Sequence, residues 1–130
     1  AIKFNEICLS AFSETVPSLE DKAYYTSLYN TTRFLIAREF NVQKALQMWK
    51  NWCKWRVSYR PHATQYSDIV NELKTGKSFH FGEDINHNCV IVIQMSKNDP
   101  STSDEESIRF GVWMIETGLA LSQEVYGGRK

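Results

Sequence analysis

Residues 33–60 read RFLIAREFNVQKALQMWKNWCKWRVSYR, and their spacing decides the fold class. From Val42 the apolar side chains fall at Val42, Ala45, Leu46, Trp49, Cys53 and Val57. Steps of three and four gather such residues on one face of a helix. Asn41 stands where an N-cap belongs, since its side-chain oxygen can accept an early amide hydrogen. Upstream, Leu28, Thr32, Leu35, Ile36 and Phe40 mark a second stripe. Two stripes separated by one polar residue predict a pair of helices folded back on each other.

Working outward towards the N-terminus, Ile2, Phe4, Ile7, Cys8, Ala11 and Phe12 predict a short leading helix. Thr15-Val16-Pro17-Ser18 ends it, because proline disfavours helix in the residue before it. Ser18 with Asp21 resembles a capping box with a shorter acid, which predicts a second helix from there to about Glu39. The third helix, from Val42 to about Tyr59, stops before Pro61. Downstream, Tyr66, Ile69, Val70 and Leu73 predict two helical turns closed by Gly76. Ser78 to Phe81 alternates polar and apolar side chains, and Cys89 to Met95 holds a continuous apolar run that implies a strand covered on both faces. Asp84 to Asn88 is turn chemistry and joins the two as a hairpin. Ser103 with Glu106 forms a capping box, and Ile108, Val112, Ile115 and Leu119 stripe a last helix to about Val125, ended by Gly127-Gly128.

The chain of 130 residues suffices for one modest core rather than two independent ones. Its 15 basic and 15 acidic residues cancel, so no net field draws it to nucleic acid or to an anionic surface. Cys8, Cys53 and Cys89 are odd in number and sit in or beside apolar patterns, which points to reduced thiols in a cytoplasmic setting. No apolar run reaches membrane-span length, and the N-terminus has no signal-peptide core.

Arg33-Phe34-Leu35, Ala37-Arg38, Phe40-Asn41-Val42, Lys44-Ala45 and Lys54-Trp55-Arg56 resemble the N-terminal helical segment of the CRAL-TRIO lipid-binding and lipid-transfer proteins. That family writes the segment RFLRARKF(D/N)V, then KA, then KWR. A weaker match continues through Gly76-Lys77, Asp84-Ile85-Asn86 and Val90-Ile91-Val92, so the resemblance runs from roughly Leu28 to Leu121. The implied fold is mainly α (α+β), with a helical N-terminal module over 1–62. Over 63–130 a β-hairpin and a long helix would begin an incomplete α/β lipid-binding domain. In the family further strands and a gate helix complete the lipid cavity, and here they would follow Lys130. A two-stranded hairpin is marginal alone in water, so Val90-Ile91-Val92 needs a partner, from further chain or from a second copy.

The function this resemblance implies is sequestering a phospholipid or other hydrophobic ligand and exchanging it with membranes, with no catalysis and a peripheral, cytoplasmic location. The alternative is a truncated, lipid-free member that serves as a protein-interaction module or dimerises by completing its sheet. Arg38 matches the second arginine of RAR, which in phosphoinositide-binding members helps hold the headgroup. A guanidinium fork suits phosphate, although Glu39 replaces the family's lysine. A surface pair with Glu39 or Glu72 is the plainer role for Arg38. His80 and Ile91 fall where choline-lipid members carry tyrosines, and with Ile93 they are the candidate pocket lining. Isoleucine lacks the aromatic face a choline cation wants, and ordinary hairpin packing is the plainer role for these residues. Trp49, Trp52 and Trp55 interleave with Lys50, Lys54, Arg56 and Arg60, as in single-strand nucleic-acid binders, yet steps of three spread the rings round a packed helix. Asp84, His87 and Cys89 lack the count and spacing of a zinc site and read as a turn. The family carries glycine near His87, which implies a different turn here. No metal or organic cofactor is expected.

Overall fold

The structure, a computed structural model, describes residues 1–16 and 21–124. Ser18 of the expected capping box, and the expected helix end at Val125 with Gly127-Gly128, lie outside the described residues. The chain divides into two compact units, residues 1–60 and 61–130. The architecture is mainly α with one antiparallel hairpin, as the sequence predicts.

In the first unit, α1 (Ile2–Thr15) turns a single ridge of Phe4, Cys8, Phe12 and Thr15 inward and leaves Ile2 exposed. The helix expected from Ser18 to Glu39 is instead two: α2 (Lys22–Tyr25) and α3 (Leu28–Ala37). Two hydroxyls cause the break. The Thr26 hydroxyl donates to Lys22 O at 2.7 Å, and the Ser27 hydroxyl accepts from Asn30 N at 3.1 Å as the N-cap of α3. Such side chains offer the backbone an alternative to continued helix.

The inner face of α3 is Asn30, Thr31, Phe34 and Leu35, whereas the expected Leu28, Ile36 and Phe40 are exposed. Polar contacts select this face. Asn5 Nδ2 donates to Thr26 O at 2.7 Å and to Thr31 Oγ1 at 3.0 Å, and Asn30 Nδ2 donates to Tyr24 O at 2.7 Å. A corner with Glu39 and Phe40 both left-handed (φ 53° and 64°) leads to α4 (Val42–Tyr59), which Asn41 caps by accepting from Lys44 N at 3.0 Å. On α4 the buried residues are Ala45, Trp49, Cys53 and Arg56, while Val42 and Val57, expected inside, are exposed. Helices α1, α3 and α4 pack on one another around Phe4, Cys8, Phe12, Tyr25, Phe34 and Trp49.

In the second unit, single 3-10 turns at Pro61–Ala63 and Tyr66–Asp68 precede α5 (Val70–Thr75). The predicted pair of helical turns from Tyr66 is thus interrupted at Ile69, which is fully buried while Tyr66 is exposed. Gly76 closes α5 at φ 65°, the left-handed cap its position predicts. Strands β1 (Ser78–Glu83) and β2 (Cys89–Ile93) pair Ser78 with Ile93, Phe79 with Val92 and His80 with Ile91. A register shift follows between His80 and Glu83, where Gly82 takes φ 62°. The Asp84 carboxylate closes the turn by accepting from Asn86 N at 2.8 Å and Asn88 N at 2.9 Å. His87 sits at φ 64°, a left-handed conformation that glycine takes most easily.

Helix α6 (Asp104–Glu124) covers one face of the hairpin. The other face carries Phe79 and Phe81, exposed with rings 6.3 Å apart, so the two-sided cover expected of 89–95 is not met. Met95 leaves the strand for a 3-10 turn. Of the expected α6 stripe Ile108, Ile115 and Leu119 are exposed and Val112 is half-buried, and Phe110, Met114 and Gly118 are buried instead. The capping box at Ser103 is half formed. Its hydroxyl accepts from Glu106 N at 3.2 Å, but the Glu106 carboxylate takes Glu72 N at 2.8 Å and Asn71 Nδ2 at 3.0 Å. Ile69, Phe110 and Met114 form a second core with Ile91 and Trp113, so among the described residues the buried side chains fall into two clusters rather than the single core expected from chain length.

Candidate functional site

Pleat alternation puts His80 and Ile91 on one face of the hairpin, and that face meets α6. His80 Nε2 lies 2.9 Å from Met114 O and 3.0 Å from Thr117 Oγ1. A carbonyl only accepts, so Nε2 carries the hydrogen and shares it with the hydroxyl oxygen. The Thr117 hydroxyl hydrogen goes to Trp113 O at 2.8 Å. Ile91 seats beside Gly118, where an added Cβ would stand 3.5 Å from Ile91 Cδ1 and 3.6 Å from the His80 ring. Cys89 N donates to Ser122 Oγ at 2.7 Å and extends the seam by one more bond.

Of the three candidate lining residues, His80 and Ile91 therefore lie inside a packed seam. Ile93, at the end of β2, is 59% exposed. Arg38 is exposed at the C-cap of α3, with its amide on Phe34 O. It makes no ion pair with Glu39 or Glu72 among the described residues. Glu72 is fully buried and pairs with Lys77, whose ammonium also donates to Asn98 Oδ1 at 2.7 Å. Asp84 is engaged in its turn, and His87 Nδ1 stands 3.1 Å from Glu83 Oε1. Among the described residues no group of three or more His, Cys, Asp or Glu could hold a metal ion. A cleft of about 490 Å³ lined by Asn71, Lys74, Thr75, Asp99, Ser101 and Glu106 is polar and offers acyl chains no apolar wall.

Sequence reading missed the way the tryptophans are held. Trp49 is fully buried and donates from its indole to Tyr25 O at 3.0 Å. Two guanidiniums lie against Trp52: Arg33 at 4.8 Å and Arg56 at 5.6 Å from the ring centroid. Arg33 also lies 4.5 Å from Phe34, and Arg56 5.0 Å from Tyr24. Arg56 is only 5% exposed, and its step of seven from Trp49 was the available signal. The arginines that open and close the family-like block thus hold the helical unit together. Burial pushes the Cys8 and Cys53 thiols up to about 12, and all three cysteines are free.

The chain is similar to a CRAL-TRIO domain-containing protein of Schizosaccharomyces pombe, 35% identical over 95 residues. The match covers 65% of this chain and 21% of that protein, so the chain spans about a fifth of its relative's length. No family model and no solved structure matches. The N-terminal part of the chain is related to the CRAL-TRIO proteins.

Proposed function

We propose that this chain is part of a CRAL-TRIO protein that sequesters a phospholipid or another hydrophobic ligand and exchanges it with membranes. It works by binding and presentation, without catalysis, as a cytoplasmic protein peripheral at membranes. One observation carries the reading: the hairpin–α6 layer is joined on its inside yet apolar on both outer faces. Phe79 and Phe81 lie on one side, and Ile108, Ile115 and Leu119 on the other. Large exposed apolar faces mark surfaces that another body covers. Acyl chains, each methylene contributing about 0.8 kcal/mol on burial, suit such a wall.

In this reading His80 and Ile91 fix the wall from within the seam, and Ile93 is the lining residue assigned to ligand contact. Arg38 is assigned to an anionic headgroup. No described helix is long and apolar enough to cross a membrane, so contact with a bilayer would be at its surface. Lipid mass spectrometry of the purified protein, with light scattering for its mass, tests the proposal. Stoichiometric lipid on a monomer is the expected result, and Arg38→Gln should lower the anionic fraction of that lipid. A lipid-free dimer would overturn it.

A further inference from the structure

The formal charge of zero hides an uneven distribution. Residues 1–60 carry nine basic and five acidic side chains, and residues 61–130 carry six and ten. The basic excess collects on α4. Between Glu39 and Asp68 the chain has no acidic residue, and Lys44, Lys50, Lys54, Arg56 and Arg60 all fall in that interval. Arg56 is taken into the core, but Lys44 and Lys54 are exposed and Lys50 is half-exposed. Met48, Trp55 and Tyr59 follow one another at steps of seven and four, and so share one flank of the helix beside Lys44. Met48 and Trp55 are exposed, and the Trp55 and Tyr59 rings stack at 5.2 Å and 16°.

An acid-free basic helix face with Trp, Tyr and Met along one border has the chemistry of a membrane-surface helix. Trp and Tyr settle at headgroup depth, the apolar body inward and the polar tip outward. Lysine stems lie along such a border while their ammonium groups reach lipid phosphates and carboxylates. We infer that the outer face of α4 is the surface by which this protein adheres to anionic phospholipid bilayers. The inference deepens the membrane-exchange reading above by naming the surface and the lipid charge. Single-stranded nucleic acid fits less well, because it needs successive open ring faces. Trp49 is buried, Trp52 is held by two arginines, and Trp55 and Tyr59 are stacked on each other.

The experiment is co-sedimentation of the protein with phosphatidylcholine vesicles, with and without phosphatidylserine, across a salt series. Binding should require phosphatidylserine and weaken as salt rises. With about 1 kcal/mol per basic residue near an anionic surface, each neutralised lysine should cost about fivefold. The combined Lys44→Gln, Lys50→Gln, Lys54→Gln variant should then bind roughly a hundredfold more weakly, with an unchanged circular dichroism spectrum. Trp55→Ser should weaken binding with little change in its salt dependence. Equal binding to vesicles lacking phosphatidylserine, or undiminished binding by a folded triple variant, overturns the inference. So does tighter capture by a single-stranded oligonucleotide than by the anionic vesicles at the same salt. Cargo lipid is measured separately. A protein without cargo that still adheres sinks the carrier reading alone, and a triple variant that keeps its cargo but not its adhesion supports the surface named here.

Discussion

Raising the pH should loosen the helical unit, and the magnitude follows from two thiols. Cys8 on α1 and Cys53 on α4 are fully buried, and desolvation lifts both from an ordinary value near 9 to about 12. Cys8 adds a smaller upward push on Cys53, and Arg56 a smaller downward one. The unfolded chain therefore releases these protons first. The stability they contribute is fully present below about pH 9 and is lost as the pH climbs towards 12. Integrated from about pH 8 to about pH 10, each thiol costs about 1.4 kcal/mol, and the pair about 2.7 kcal/mol. For a domain whose net stability is on the order of 10 kcal/mol, that loss is large. Tyr25, also raised by burial, adds in the same direction only above its ordinary value of 10, so the window separates the two effects. Urea unfolding followed by tryptophan fluorescence at about pH 8, 9 and 10 measures the slope. The Cys8→Ala, Cys53→Ala variant should be less stable throughout but flat across that window. Maleimide should modify half-buried Cys89 well before either core thiol. A wild-type slope equal to that of the variant, or equally fast labelling of all three thiols in native protein, would refute the reasoning.

Arg56→Leu should cost about 3 kcal/mol in urea unfolding, from ring contacts near 2 kcal/mol when desolvated plus the bond to Tyr25. Arg56→Lys should recover little, because an ammonium cannot lie flat on Tyr24 and Trp52, and full rescue by lysine would sink that account. Lys77→Met should destabilise by about 3–5 kcal/mol by leaving the Glu72 carboxylate buried without its cation. The Glu72→Met, Lys77→Met pair should regain most of that loss, as a thermal melt would read directly. Gly118→Ala should raise the melting temperature, since the new methyl meets ordinary contact distances and the helix gains up to about 1 kcal/mol. A fall in melting temperature would mean that the seam beside Ile91 and His80 is tighter than its geometry.

Asn41, Gly76 and Ser103 cap their helices where the chain alone says they should, because a cap is made by residues within three positions of one another. The hairpin was legible for the same reason, since strand alternation and turn chemistry are local. The breaks at Thr26-Ser27 and Ile69 were not read, although the Thr26 and Ser27 hydroxyls were in plain view.

Which side of each helix faces inward was a different kind of question. Helix α6 is apolar on two sides, Ile108-Ile115-Leu119 and Phe110-Met114-Gly118, and period alone cannot choose between them. The choice is made by Ile69, Ile91 and the His80 ring, which bonds to α6 from more than thirty residues away. In α3 the Asn5 amide turns Thr31 inward and leaves Leu28 and Ile36 in water, and in α4 aromatic rings make a buried place for Arg56. The amino-acid sequence by itself determined α1, α4, α6, the hairpin, the caps at Asn41, Gly76 and Ser103 and the CRAL-TRIO resemblance, all of which rest on neighbours along the chain. The tertiary structure alone decided the buried faces and the seam that holds His80, because hydrogen bonds and ring contacts between distant residues outweigh the small preference of one apolar stripe over another.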